Sequence, residues 1–82
     1  MKINKKKTSV CILGESIKAE RKRRKLTQSQ LADLSDTSIN FISQIERGKR
    51  TAQIGKVIDV LQILGIQLII ERGAAGVVSD NE

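Results

Sequence analysis

The chain has 82 residues, with 15 Lys and Arg against 9 Asp and Glu and a formal net charge of +6. That length suits one domain with a small core. It has no His, one Cys and one aromatic residue, Phe41, which excludes a Cys/His zinc site, imidazole catalysis and an aromatic platform for single-stranded nucleic acid.

The charge is unevenly placed. Residues 1–50 carry 13 Lys and Arg against 5 Asp and Glu, whereas residues 51–82 carry 2 against 4. The first half would attract phosphate, and the second is free to meet protein. No apolar run approaches the roughly 18 residues of a membrane span. Residues 1–10 read as a flexible basic arm, and the VCIL that overlaps its end is too short for the apolar core of a signal peptide. A lone Cys11 cannot form an intramolecular disulfide, which fits a reducing compartment; it reads as a small filler near the start of the fold. A cytoplasmic protein is expected, with no cofactor, metal or membrane partner.

Residues 11–72 read as the folded domain. A first helix is predicted from about Leu13 to Lys25, with Leu13 and Ile17 on one face and Lys18, Lys22, Arg24 and Lys25 on others. Leu26 closes it against the core. Thr27-Gln-Ser-Gln30 has the form of a capping box: the Thr27 hydroxyl accepts a first-turn N–H and Gln30 reaches back. QSQLADLS would then form a second helix of about two turns, with Leu31 and Leu34 inward and Ala32 allowing a close crossing. Ser35-Asp36-Thr37 is the break, since Asp tolerates left-handed backbone.

A third helix is predicted from about Ser38 to Arg47, with Gly48 as its left-handed C-terminal stop. Ile42 and Ile45 face the core and Phe41 lies at the flank. The opposite face carries Ser38, Ile39, Asn40, Ser43 and Gln44, without an ionised group. A fourth helix runs from about Ile54 to Leu64, with Ile54, Val57, Ile58, Leu61 and Leu64 as a buried stripe. Val60 and Ile63 form a second stripe, available to a partner. After Gly65, IQLIIER alternates with period two, as a strand does. A lone strand leaves unpaired backbone groups, most simply satisfied by the same strand of a second copy. Residues 73–82 read as a disordered tail.

Two short helices joined by a tight turn, the second with small polar side chains outward, describe a helix-turn-helix. A helix entering the major groove reads bases with short hydrogen-bonding groups and apolar contacts, while cations belong on its flanks near the phosphates. On Arg21, LTQSQLA (26–32), Ile42, Ile45 and IERGK (45–49), the chain resembles the lambda repressor and Cro class, the Xre family. KVIDVLQILGIQLIIER is similar more specifically to HipB antitoxins. Departures are Asp36 where the family usually has Gly, Thr37 at an apolar position, and Thr51-Ala52 where a Pro is usual.

The resemblance implies an all-α, lambda repressor-like domain of four to five short helices plus one C-terminal β-strand pairing across a homodimer. It implies base reading by Ser38, Ile39, Asn40 and Gln44, and phosphate contact by Gln28, Ser43, Arg47, Lys49 and Arg50. Arg21 and Glu46 match a structural ion pair, and Val60, Ile63, Ile66, Leu68 and Ile70 would form the dimer contact. The implied function is sequence-specific repression of a pseudo-palindromic operator on double-stranded DNA in a bacterial nucleoid, without enzyme activity. By likeness to HipB, a HipA-like serine/threonine kinase toxin would be the second partner; the alternative is a stand-alone phage or chromosomal repressor.

Overall fold

The computed structural model describes residues 9–70 and Arg72. Four helices carry the fold: α1 (Ser9–Arg23), α2 (Gln28–Ser35), α3 (Ile39–Glu46) and α4 (Ile54–Leu64). Among the described residues there is no strand. The two outer ends of the expected organisation, residues 1–8 and 73–82, lie outside the described residues.

Helix α1 begins earlier than its apolar pair suggested. Ser9 and Val10 are helical, so the basic arm cannot extend to residue 10. Val10, Leu13, Gly14, Ile17 and Arg21 fall at i, i+3, i+4, i+7 and i+11, one continuous stripe; Gly14, Ile17 and Arg21 are buried and Val10 and Leu13 half-buried. A glycine and an arginine inside the stripe hid its true length. Gly14 is there for space: a Cβ on it would overlap the backbone carbonyl oxygens of Ile45 and Glu46. The helix stops as Lys25 turns left-handed, φ 60°, and the Leu26 N–H donates to the Arg21 carbonyl at 3.0 Å.

Helix α2 is capped on both sides of its first turn. The Gln30 N–H donates to Thr27 Oγ1 at 3.0 Å and the Thr27 N–H to Gln30 Oε1 at 2.8 Å, a reciprocal pair that satisfies two orphan donors. Its buried face is Leu31, Ala32 and Ser35. Leu34, expected inward, is 56% exposed. At 100° per residue it lies some way round from the Leu31/Ser35 line, and the small Ser35 takes the inner position. The Ser35 hydroxyl donates to the Leu31 carbonyl at 2.7 Å, so its burial leaves no unmet donor.

Helix α4 corrects the second expectation. Val57, Val60, Leu61 and Leu64 are its buried side chains, Val60 with no exposed surface. Val60 is therefore core of the single chain and cannot be a dimer contact. Ile54 and Ile58, placed in the buried stripe, are 62% and 37% exposed, and Ile63 is 37% exposed. Two stripes with equally good helical spacing overlap on this apolar helix. Packing of α1 and α2 against it selects the one centred on Val57, Val60 and Leu64.

The core joins Ile17 of α1, Leu31 of α2, Ile42 and Ile45 of α3, and the α4 stripe, with Leu26, Phe41 and Ile66 packed at its edge. Gly65 ends α4 in the left-handed region. The following residues, 66–70, have no ladder partner among the described residues and leave Leu68, Ile69 and Ile70 more than half exposed.

Candidate nucleic-acid interface

Between α2 and α3 the chain turns in three residues, 36–38. Asp36 takes φ 57°, ψ 45°, a left-handed conformation that Asp adopts at lower cost than most residues. The Thr37 N–H reaches back to the Ala32 carbonyl at 2.9 Å, closing a Schellman-type stop. The Ser35 and Thr37 hydroxyls share a hydrogen bond of 2.9 Å. The turn therefore closes with hydroxyl chemistry at Ser35 and Thr37 and an Asp in the left-handed position.

Ser38 then caps α3, its Oγ accepting the Phe41 N–H at 3.0 Å. Ile42, Ile45 and Glu46 are the buried side chains of α3. Ser38, Ile39 and Asn40 are exposed, and Ser43 and Gln44 half-buried. Residues 39, 40, 43 and 44 make one outward strip at helical spacing, opposite Ile42 and Ile45. Glu46, the one ionised residue of α3, is on the inside, so the outward strip carries no charge.

What holds Glu46 inside is a polar clamp across three helices. Arg21 Nε donates to Glu46 Oε2 at 2.6 Å and Arg21 Nη2 to Glu46 Oε1 at 3.1 Å. Arg21 Nη1 donates to the Leu26 carbonyl at 2.8 Å, and Gln28 Nε2 to Glu46 Oε1 at 3.1 Å. The two charged side chains are 9% and 3% exposed. Burial of a charge pair is costly unless further hydrogen bonds support it; here the Leu26 carbonyl takes a third Arg21 donor and the Gln28 amide gives Glu46 a third hydrogen bond. The Gln28 side chain is thereby committed to Glu46, which leaves the N–H groups at the start of α2 as what this position offers an anion.

Cations frame the strip. Arg47 is the C-cap of α3, and Lys49 and Arg50 follow, all three exposed. Lys49 Nζ donates to Gln44 Oε1 at 3.2 Å, joining the flank to the strip. Gly48 makes the exit turn at φ 83°, a left-handed conformation for which glycine has no Cβ cost. A Cβ there would also stand 2.8 Å from Cys11 Sγ. Lys56 Nζ sits 6.0 Å from the centre of the Phe41 ring, at the outer range of a cation–π contact.

The basic run at the end of α1 is partly self-neutralised. Glu20 accepts from Arg23 at 3.0 and 2.6 Å and from Arg24 at 2.7 Å. These hydrogen bonds, Arg23 first and then Arg24, lower the Glu20 pKa from 4.5 to about 2, and the Arg23 pKa is raised by the same partner. Gly14, Lys25 and Ser35 are the structural residues that periodicity did not point to. Ser35 alone carried a signal, four residues after Leu31.

The dimer residues divide. Val60 is internal, whereas Ile66, Leu68 and Ile70 line one side of a groove of about 490 Å3 whose other wall is Ile58, Leu61 and Gln62. Among the described residues no group of His, Cys, Asp and Glu could hold a metal ion, and no helix is long and apolar enough to cross a membrane.

A capped helix, a tight turn and a second helix with an uncharged outward strip between cations define a helix-turn-helix module. The chain belongs to the helix-turn-helix family, whose profile matches residues 17–69. It is 43% identical over 58 residues to the uncharacterised HTH-type transcriptional regulator y4mF of Sinorhizobium fredii, across 71% of this chain and 76% of that one. It is 41% identical over 56 residues to the immunity repressor protein of Bacillus phage phi105, across 68% of this chain but 39% of that repressor. The class is one of DNA-binding regulators, not of enzymes.

Proposed function

We propose that the protein is a sequence-specific repressor that inserts α3 into the major groove of double-stranded DNA. The observation that carries this is the uncharged outward strip of α3, kept so by burying Glu46 against Arg21. Ser38, Ile39, Asn40 and Gln44 meet the bases: Asn40 and Gln44 by hydrogen bonds, Ile39 by contact with a thymine methyl. Ser43, Arg47, Lys49, Arg50 and the N–H groups at Gln28 hold phosphates. The names of the two relatives, a transcriptional regulator and an immunity repressor, agree with this reading.

The acting species is a homodimer in the cytoplasm. Ile63, Ile66, Leu68 and Ile70 are exposed or half-exposed apolar side chains, and residues 66–70 have no ladder partner among the described residues; pairing residues 66–70 with those of a second copy would cover both. Two α3 helices would then lie about 34 Å apart, on successive major grooves of a pseudo-palindromic site. Selection of bound duplexes from a random pool tests the proposal. Enrichment of an inverted repeat with half-sites about one helical turn apart is expected; binding without any enriched motif would sink it. Sedimentation of a chain lacking residues 66–72 tests the dimer, which should be lost.

The finer reading is an antitoxin that represses its own operon and holds a HipA-like serine/threonine kinase toxin. It rests on the likeness of α4 and residues 66–72 to HipB antitoxins, and neither relative's name speaks of a toxin. Co-purification of this chain with the product of a kinase-like gene beside its own tests it. Failure to co-purify would leave a stand-alone repressor.

A further inference from the structure

Helix α3 ends in a turn that folds the chain back onto the last residue of its outward strip. The Gly48 N–H donates to the Ile45 carbonyl and the Lys49 N–H to the Gln44 carbonyl, both at 3.0 Å, the two bonds of a Schellman motif. Gly48 makes the return in the left-handed region. It brings Lys49 against Gln44 a second time, with Lys49 Nζ 3.2 Å from Gln44 Oε1. Lys49 is therefore tied to Gln44 through both its backbone and its side chain.

That contact gives the Gln44 amide a direction. An ammonium has three donors and no acceptor, so the atom facing it must be the amide oxygen, and the two Nε2 donors lie on the other side of the group. A glutamine with both ends free pairs with adenine, its oxygen accepting from N6 and its nitrogen donating to N7. Here a positive charge stands beside that oxygen. It repels the amino hydrogens of adenine and cytosine and attracts the two acceptors of guanine, N7 and O6. Thymine offers a single acceptor, O4, beside its methyl group.

We infer that Lys49 is a positioning residue for base reading: it turns Gln44 into a donor-only group and makes guanine the base read there. Two ammonium protons remain, so the same side chain can also hold a phosphate. The inference rests on α3 being the reading helix and names the base that one of its side chains selects.

The test selects duplexes from a random pool with four proteins: the full chain and its Q44A, K49M and R50M variants. The wild-type motif should contain a guanine whose enrichment Q44A abolishes. Affinities are then measured, at one salt concentration, for that site and for the same site with this G·C pair exchanged for A·T. The exchange should weaken the full chain about five- to 150-fold, the cost of one mismatched pair. K49M should bring this ratio close to one or reverse it, since the freed amide can again pair with both groups of adenine. R50M loses the same charge, and should weaken both duplexes by one factor and keep the ratio. A Gln44-dependent base other than guanine in the wild-type motif would overturn the proposal, as would a motif that Q44A leaves unaltered. Equal ratios in K49M and R50M would also overturn it, because Lys49 would then act through charge alone. These results leave α3 as the reading helix. Binding by all four proteins without any enriched motif would instead remove that assignment, and the proposal with it.

Discussion

Arg21 and Glu46 are 25 positions apart and meet at 2.6 Å, with the two side chains 9% and 3% exposed. This contact fixes α1 against α3 and removes from the outward strip the one ionised side chain that α3 possesses. Structure and proposed reading are joined at this pair: a charge tolerated inside lets an uncharged surface stand outside.

Breaking the pair from one side should be expensive. Glu46→Leu leaves a buried guanidinium with two donors unmet, and a loss of about 3–5 kcal/mol is expected in urea unfolding. Replacing both partners by apolar residues, R21M with E46L, should cost much less than the single change. A single substitution that costs under about 1 kcal/mol would mean that the clamp opens to water.

Gly14→Ala should destabilise more than an ordinary surface change. The added methyl meets two backbone carbonyls that cannot swing aside, so a cost at or above the usual 1–3 kcal/mol of overpacking is expected. Thermal unfolding reads it. An unchanged midpoint would show that α1 and α3 separate without penalty.

Val60 and Ile63 should separate core from surface. Val60→Ala removes fully buried methyls and should cost about 1–3 kcal/mol of stability. Ile63→Ser should leave the unfolding midpoint of dilute protein nearly unchanged and weaken self-association in sedimentation. The reverse pattern would restore Val60 to the dimer contact.

Glu20 should titrate far below an ordinary carboxylate, with a midpoint of about 2 in a carboxyl-carbon NMR titration. Because the folded value is depressed, the stabilisation is present above 4.5 and is lost as pH falls toward about 2. Glu20→Gln should flatten that part of the stability profile. A midpoint near 4.5 would mean that Arg23 and Arg24 do not hold the group in solution.

Much of this was readable in the sequence where local chemistry is self-announcing. The Thr27–Gln30 box, Gly48 and Gly65 as stops, and the Ile54–Leu64 bounds of α4 depend on near neighbours in the chain. Leu34, Val60 and the start of α1 were misplaced for a common reason. Periodicity says that a face exists, but when apolar stripes overlap, or when Gly14, Arg21 and Ser35 lie within one, only the neighbouring helices select it. Gly14 is buried because of carbonyls 31 and 32 residues away, and no local signal carries that.

For the proposed interface, composition spoke clearly: a basic chain with one uncharged helical strip. What it could not supply was the reason the strip stays uncharged, which is Glu46 turning inward to Arg21 and Gln28.

The most direct measurement is an amide and side-chain NMR titration of the full chain with its selected duplex. Resonances of Ser38, Ile39, Asn40, Ser43 and Gln44 should shift together with those of Arg47, Lys49 and Arg50, while Glu20 and the α4 core at Val60 and Leu61 stay in place. Shifts gathered on the Ile58–Ile70 groove or along Lys18–Lys25, with α3 silent, would contradict the assignment of α3 as the reading helix.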